Sequence, residues 1–242
     1  MLKIFQFVKN IGILLPFLII FKPLNKILLF FIYYVEMISW ISENKDKTII
    51  KNKLSIKRDY GLRFNLFKQV FDYYNIYNKK ACVLEFGVAS GSSFKWWLSN
   101  NNHSSSGFYG FDTFEGLPEK WGNFYKKGDM GFNIPDIKDQ RATFIKGLFQ
   151  ESLPQFIQHN KDEIKDADIR IIHCDADLYS ATIFVLSQLF VFLKPGDILF
   201  FDEFNVPLHE FKAFKEFTEN FYVKLLPISQ VNTFYQVAFI VV

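Results

Sequence analysis

The stretch VLEFGVASGSS, from Val83 to Ser93, joins an apolar run to a glycine-containing corner. Apolar residues ahead of such a corner are typical of a buried strand. Gly87 and Gly91 allow the backbone to turn sharply and to approach a ligand closely, and Ser92 is suited to the start of a helix. The stretch therefore predicts a strand, a tight loop and a helix, which is where open α/β sheets bind cofactors.

From this first strand towards the C-terminus, short apolar runs alternate with stretches whose apolar residues have helical spacing. The runs are ACVLEFG, GFYGFDT, ATFIKG, DIRIIHCD and DILFFDE. This alternation predicts a parallel sheet with crossover helices on both faces. The last two runs, FYVKLLPI and TFYQVAFIVV, are separated only by SQVN, so they form a hairpin and the last strand is antiparallel. We predict one Rossmann-like, mostly parallel α/β domain over residues 59–242.

The composition excludes several classes of protein. Half of the 242 residues are hydrophobic, which is enough for one large core. A net charge of +3, with lysines spread along the chain, does not indicate a nucleic-acid-binding surface. Cys82 and Cys174 both fall in predicted strands and are expected to be reduced core thiols, which places the chain in the cytoplasm.

Residues 1–44 are apolar and are predicted to be helical. Their apolar runs are interrupted by Pro16, by KPLNK at 22–26 and by Glu36, so neither run reaches the roughly 20 residues of a membrane-spanning helix. The flanking lysines suit helices that lie on the inner face of the membrane, as a peripheral contact. A helical hairpin packed on the catalytic domain, or on a second subunit in a homo-oligomer, is the alternative. Residues 45–58 are polar and are predicted to be a linker.

The glycine corner indicates the charge of its ligand. A dinucleotide site has the pattern G-x-G-x-x-G, but here Ala89 and Ser92 take the second and third glycine positions. Glu85 precedes the corner, and no basic residue follows it before Lys95. A positively charged cofactor without phosphate, such as S-adenosylmethionine, fits this corner. Asp112 ends the next strand, where a carboxylate reaches the ribose hydroxyls of an adenosine.

Acidic residues follow the ends of two later strands. They are Asp175 and Asp177 after the fourth run, and Asp202 and Glu203 after the fifth. Carboxylates this crowded repel one another unless a cation lies between them or they share protons, which gives physical grounds for a divalent ion such as magnesium. In a regular strand His173 shares a face with Asp175 and is a candidate base; a buried, hydrogen-bonded structural histidine is the alternative.

Five segments carry a family resemblance. LEFGVASGSS, GFDTFEGLPEKW, KGLFQESLP, HCDADLYSAT and KPGDILFFDEF occur in this order and resemble the macrocin O-methyltransferase family over residues 62–242. The resemblance implies a class I methyltransferase fold with a seven-stranded sheet whose last strand is antiparallel. It also implies methylation of a sugar hydroxyl by S-adenosylmethionine, with magnesium in several members.

The resemblance also implies roles for individual residues. Around the cofactor it implies Glu85, Gly87 and Gly91 for the methionine part, Asp112 with its neighbour Thr113 for the ribose, and Phe149 for the adenine. Ser92, at the start of the helix after the corner, is a further candidate for cofactor binding. Asp175 resembles a metal ligand and general base, with Asp202 and Glu203 completing the metal site. The chain departs from the stricter members at Glu203, where they carry aspartate, and at Ala176, where they carry glycine.

The expected function is methylation of a hydroxyl on a nucleotide sugar, glycan or glycolipid. One alternative is a Rossmann-type nucleotide-sugar oxidoreductase, which the broken glycine pattern disfavours. Another is a catalytically inactive methyltransferase-like assembly protein, which the glycine corner, Asp112 and Asp175 together disfavour. The aromatic-rich loop at 115–141 is predicted to be a lid over the cofactor and acceptor.

Overall fold

A seven-stranded sheet forms the centre of the protein, whose computed structural model describes residues 1–14, 17–121 and 124–242. The strand order is β3-β2-β1-β4-β5-β7-β6. The first five in this order are parallel, and β7 is antiparallel to both of its neighbours. The predicted fold class is therefore confirmed. The strands are β1 (Ala81–Phe86), β2 (Gly107–Asp112), β3 (Ala142–Lys146), β4 (Ile169–Cys174), β5 (Ile198–Phe201), β6 (Leu225–Val231) and β7 (Gln236–Val241).

The described α-helices are α1 (Leu2–Leu14), α2 (Asn25–Asn44), α3 (Leu62–Tyr74), α4 (Ser92–Asn100), α5 (Phe149–Asp166), α6 (Tyr179–Leu189) and α7 (Lys212–Asn220). Helices α3 and α4 cover one face of the sheet, and α5, α6 and α7 cover the other. The core has two layers because consecutive strand residues point to opposite faces. Leu84 belongs to the layer under α5, α6 and α7, and Val83 to the layer under α3 and α4. Strands buried on both faces read as continuous apolar runs, which is the pattern that the sequence shows.

The register of the parallel strands aligns their carboxyl ends. Phe86 of β1 lies opposite Phe111 of β2 and Cys174 of β4, and Cys174 lies opposite Phe201 of β5. The residues that follow these four strands therefore leave the sheet at one edge. The glycine corner and both acidic pairs are brought together there.

The N-terminal segment divides into an exposed part and a docked part. No residue of α1 is buried. In α2, Met37 is buried, the Tyr33 hydroxyl donates to Glu216 over 2.8 Å, and Trp40 packs among four phenylalanines. The end of α2 thus packs on the domain, as the hairpin alternative expected. Pro16 lies outside the described residues.

One helical segment in the described part of the chain is long enough to span a membrane. The continuous helical segment Ile19–Asn44 is long and apolar enough to cross a bilayer by length and composition alone, and very little of it is buried. It includes the KPLNK stretch that was expected to interrupt the helix, because a 3₁₀ turn at Phe17–Leu24 continues directly into α2.

The polar segment 45–58 runs along the outer strand of the sheet. The backbone N–H groups of Ile49 and Ile50 donate to the carbonyls of Pro227 and Ile228 in β6 over 3.3 and 2.7 Å. These bonds satisfy two backbone acceptors of a strand that would otherwise be a free edge. The segment predicted as a linker is therefore polar but attached to the domain.

We expect Trp40→Ala to destabilise the domain by about 3 kcal/mol, since it removes a large ring from an aromatic cluster. The ring centroid of Trp40 lies 5.1 Å from that of Phe204 and 5.2 Å from that of Phe214. Urea unfolding followed by circular dichroism measures the change. Phe31→Ala on the same helix is the control: Phe31 is 57 % exposed, so its loss should cost less than about 0.5 kcal/mol. Equal effects of the two changes would refute the docking of α2.

Candidate active site

The glycine corner lies against the chain that leaves β4. Gly87 has a φ of +97°, and a Cβ placed on it would lie 1.8 Å from the carbonyl oxygen of Asp175. Gly91 has a φ of +79°, and its Cβ would lie 2.8 Å from the Pro135 ring. Left-handed backbone is costly for other residues, and neither position leaves room for a side chain. Both glycines that the sequence singled out are therefore required by the backbone itself.

Asp112 is held at the end of β2 by two backbone amides. The N–H of Ala89 donates to one carboxylate oxygen over 2.9 Å, and the N–H of Phe114 donates to the other over 2.7 Å. Each oxygen keeps a further lone pair for a ligand. Its neighbour Thr113 donates to the carbonyl of Gly116 over 2.8 Å, which closes the turn after the strand.

A cavity of about 420 Å³ opens above this edge of the sheet. Three groups of residues line it. The first comes from the ends of β1 and β2 and the start of α5: Gly87, Ala89, Asp112, Thr113, Leu148, Phe149 and Gln150. The second is the 115–141 loop: Gly116, Leu117, Pro118, Trp121, Tyr125, Met130 and Phe132. The third is Tyr60, Arg63, Asp175, Asp177, Glu203 and Tyr235 with the start of α6.

The cavity extends across several strands. Asp112 ends β2 and Glu203 follows β5, and these two strands are three strand spacings apart, or about 14 Å. The strand order reverses between β1 and β4, so the cavity lies at the topological switch point of the sheet, where α/β folds bind ligands. The predicted lid loop lies over it through Trp121 and Tyr125, whose rings stack 5.0 Å apart; Gly122 and Asn123 lie outside the described residues.

Glu85 and His173 are buried beneath the cavity and do not line it. Each is at most 1 % exposed. A Glu85 oxygen accepts from the Trp97 indole over 2.8 Å, and the same oxygen lies 3.6 Å from Nδ1 of His173. Burial raises the pKa of Glu85 to about 8 and lowers the pKa of His173 to about 4, which favours the neutral form of both side chains.

His173 therefore matches the structural alternative in its burial, although not in its hydrogen bonding, and it does not line the cavity as a base would. Its ring packs edge-on against Phe67, Trp97 and Phe200. Among the described residues neither ring nitrogen has a hydrogen-bond partner. Ser92 is also placed away from the cavity, since it is exposed and bonds to Ser90 at the start of α4.

Arg63, which the sequence reading did not single out, lies between the predicted metal ligands. One guanidinium nitrogen lies 3.2 Å from a carboxylate oxygen of Asp175, and another binds Asp202. Desolvation and the Asp202 carboxylate raise the pKa of Asp175, and Arg63 opposes that rise. Desolvation likewise raises the pKa of Asp202. The positive charge that these acids require is present as a side chain.

Two of the three predicted metal ligands, Asp175 and Asp202, lie close together, and Glu203 does not belong to their group. The hydroxyl of Tyr235 donates to Glu203 over 3.3 Å. In the described chain the side chains grouped closely enough to hold an ion are His173, Asp175 and Asp202, within 4.8 Å of one another. Because Arg63 already bridges Asp175 and Asp202, the arrangement does not fit the predicted magnesium site of Asp175, Asp202 and Glu203.

Comparisons with known proteins agree on the class of fold and family. A family model described as a methyltransferase domain matches residues 84–204, which is half of the chain. The calicheamicin methyltransferase CalS11 superposes with a TM-score of 0.57 at 20 % identity, over 74 % of this chain and 77 % of that one. The O-methyltransferase NovP gives 0.52 at 19 % identity, over 74 % and 78 %. At these identities the superpositions establish the fold. A search of curated proteins found no significant match.

We expect Gly87→Ala to abolish cofactor binding and to destabilise the domain by more than about 3 kcal/mol, because the new methyl group meets a backbone carbonyl that cannot move freely. Gly196→Ala is the matched control. Gly196 has nearly the same φ, +98°, but nothing lies within 4 Å of its Cβ position, so only the backbone strain of about 1 to 2 kcal/mol remains. Thermal unfolding and calorimetric titration measure both effects. If the two variants behaved alike, the close approach of Gly87 to Asp175 would be refuted.

Proposed function

The chain belongs to the methyltransferase-domain family and is an S-adenosylmethionine-dependent methyltransferase, and from this premise we propose that it methylates a hydroxyl group of a sugar. The observation that carries the proposal is one continuous cavity with the amide-held Asp112 towards one side and the Arg63-bound Asp175 towards the other. The family match removes the oxidoreductase alternative. The experiments below separate an active enzyme from an inactive assembly protein.

The cofactor side of the cavity suits an adenosine and an amino acid. When bound, S-adenosylmethionine supplies an electrophilic methyl group on a sulfonium sulfur that leaves as a neutral thioether. Asp112 accepts hydrogen bonds from the ribose hydroxyls, and Phe149 packs against the adenine. Gly87, which has no side chain, lets the methionine part lie over the corner. Glu85 does not line the cavity, so we propose that it acts from below by fixing Trp97 and not by direct contact.

The other side of the cavity suits a sugar. Small-molecule sites combine apolar and aromatic walls with a few placed polar groups. Here Tyr60, Trp121, Tyr125 and Tyr235 form the walls, and Asp177 and Glu203 add carboxylates that can accept from hydroxyl groups. One structural neighbour, CalS11, is described as a TDP-rhamnose 3'-O-methyltransferase, which supports a sugar as acceptor. A nucleotide sugar, a glycan and a glycolipid all present such a hydroxyl.

Asp175 is the proposed base. An alcohol is a weak nucleophile until its proton is removed. As the sugar oxygen forms its bond to the methyl carbon and the carbon–sulfur bond breaks, Asp175 takes the hydroxyl proton. Arg63 keeps the carboxylate of Asp175 oriented and balances its charge together with that of Asp202. We propose that Arg63 supplies the positive charge that the sequence assigned to magnesium.

We expect Asp112→Ala to weaken S-adenosylmethionine binding at least about tenfold, because the ribose loses two hydrogen bonds to a charged acceptor. Calorimetric titration of the folded variant measures the affinity. Asp162→Ala, which removes the same charge from an exposed position on α5, is the control and should bind normally. An unchanged affinity in the Asp112 variant would remove the ribose assignment.

We expect Asp175→Asn to lower the rate of methyl transfer at least about a hundredfold while cofactor binding persists, since the amide cannot accept the proton. Transfer of labelled methyl to nucleotide sugars and glycolipids measures the rate. A variant that turns over normally would exclude Asp175 as the base, and a wild-type chain inactive on every acceptor would favour the assembly alternative.

Chelation distinguishes whether Arg63 or a metal ion supplies the positive charge beside Asp175. With Arg63 as the cation, wild-type turnover persists in EDTA, and Arg63→Gln loses turnover whether or not magnesium is added. If EDTA abolished wild-type turnover and magnesium restored it, the predicted metal site would be correct. Arg63 would then lie between the carboxylates only when no metal is bound.

A further inference from the structure

The outward surface of α2 is apolar and exposed. Leu28, Phe31, Ile32 and Val35 are between 54 % and 64 % exposed. Their spacing of i, i+3, i+4 and i+7 places them on one side of the helix. We call this stripe the outer face of α2. Exposed apolar side chains that adjoin one another in this way mark a surface that binds a membrane or another protein.

The opposite side of α2 is docked on the domain. Tyr33, Met37 and Trp40 follow the same helical spacing and face inward, and Glu36 pairs with Lys215 of α7 over 3.0 Å. The C-terminal part of α2 is therefore docked on the domain, whereas residues 25–32 are exposed on every side of the helix. The outer face of α2 begins in this exposed part and continues onto the docked part at Val35.

Helix α1 has a polar side and a larger apolar surface. Lys3, Gln6, Lys9 and Asn10 fall at i, i+3, i+6 and i+7, while the apolar residues Phe5, Phe7 and Val8 are at least 61 % exposed. This is the pattern of a helix that lies in the plane of a membrane interface, with its polar side towards water.

The charge of the segment selects among the surfaces that could cover it. Residues 1–35 contain four lysines and no acidic residue. Lysines near a bilayer are attracted to anionic headgroups. A second copy of the chain would bring eight lysines together without a compensating acid in the same segment, which disfavours a dimer through this surface.

The same lysines limit how the segment lies. Between Lys9 and Lys22, and between Lys26 and Glu36, the uncharged runs are shorter than the roughly 20 residues that cross the hydrocarbon layer. The length of Ile19–Asn44 alone permits a crossing, but its last third is docked on the domain. An orientation in the plane keeps the lysines at the headgroups and buries the outer face.

We propose that α1 and the outer face of α2 bind one leaflet of a bilayer that contains anionic lipid. The inference goes beyond the methyltransferase activity and does not depend on it. It has a consequence for the cavity, because Trp40 of the docked face packs on Phe204 and Phe234. These residues adjoin Glu203 and Tyr235, which line the cavity. Membrane binding would hold the acceptor side of the cavity close to the headgroups, on the inner face of the membrane.

Flotation of the full-length chain with lipid vesicles tests the proposal. The chain should float with vesicles of phosphatidylcholine and phosphatidylglycerol, and less with phosphatidylcholine alone or in high salt. The double variant Phe31→Gln and Val35→Gln should reduce partitioning at least about tenfold. The control variant Tyr73→Gln and Val191→Gln changes side chains of similar exposure, 59 % and 63 %, away from α1 and α2 and should float normally. Thermal unfolding verifies that both variants are folded.

Two results would overturn the proposal. One is a folded full-length chain that ignores anionic vesicles. The other is a stable dimer in sedimentation without lipid that Phe31→Gln and Val35→Gln dissociate, which would assign the outer face of α2 to a second copy. Neither result bears on methyl transfer, so the two proposals fail separately.

Discussion

The site depends on a ladder of backbone hydrogen bonds that continues one residue beyond the strands. The N–H of Gly87 donates to Phe111, that of Asp175 to Phe86 and that of Asp202 to Cys174, over 2.9 to 3.0 Å. These bonds hold three chain exits side by side at one edge of the sheet. Gly87 is needed because Asp175 leaves β4 directly against it. The glycine corner and Asp175 are therefore neighbours by backbone geometry, before any side chain contributes.

Bringing strand ends together also brings acids together. Asp175, Asp177, Asp202 and Glu203 meet above β4 and β5, and desolvation raises the pKa of each of them. Arg63 offsets part of this repulsion from above the sheet, since α3 places its guanidinium between two of the carboxylates. A side-chain cation is fixed in position and cannot dissociate. In the proposed mechanism this charge keeps the base oriented as it takes up a proton.

Helix α2 connects two environments. Its inner face completes an aromatic cluster that includes Phe204, directly after the acidic pair of β5, while its outer face is apolar and uncovered. The same helix is thus part of the folded domain and of the surface proposed to meet lipid. The segment at 45–58 extends the attachment by pairing with β6. The later part of the N-terminal region is therefore part of the folded domain, and only its earlier part is an appendage.

The sequence alone determined the sheet, the hairpin, the glycine corner and Asp112, because these depend on local patterns: the alternation of apolar runs, the length of a connection and the residues that a sharp turn allows. Tertiary structure alone decided which acids have a partner and which residues reach the cavity. Arg63 lies 112 residues from Asp175 in the chain, so no spacing in the sequence could indicate their contact. Glu85 and His173 share a pattern with exposed site residues but are buried beneath α3 and α4, since burial depends on which helices cover a strand end. The docking of Trp40 follows from the same cause: a helical pattern shows that a face is apolar, and only packing decides whether protein or another phase covers it.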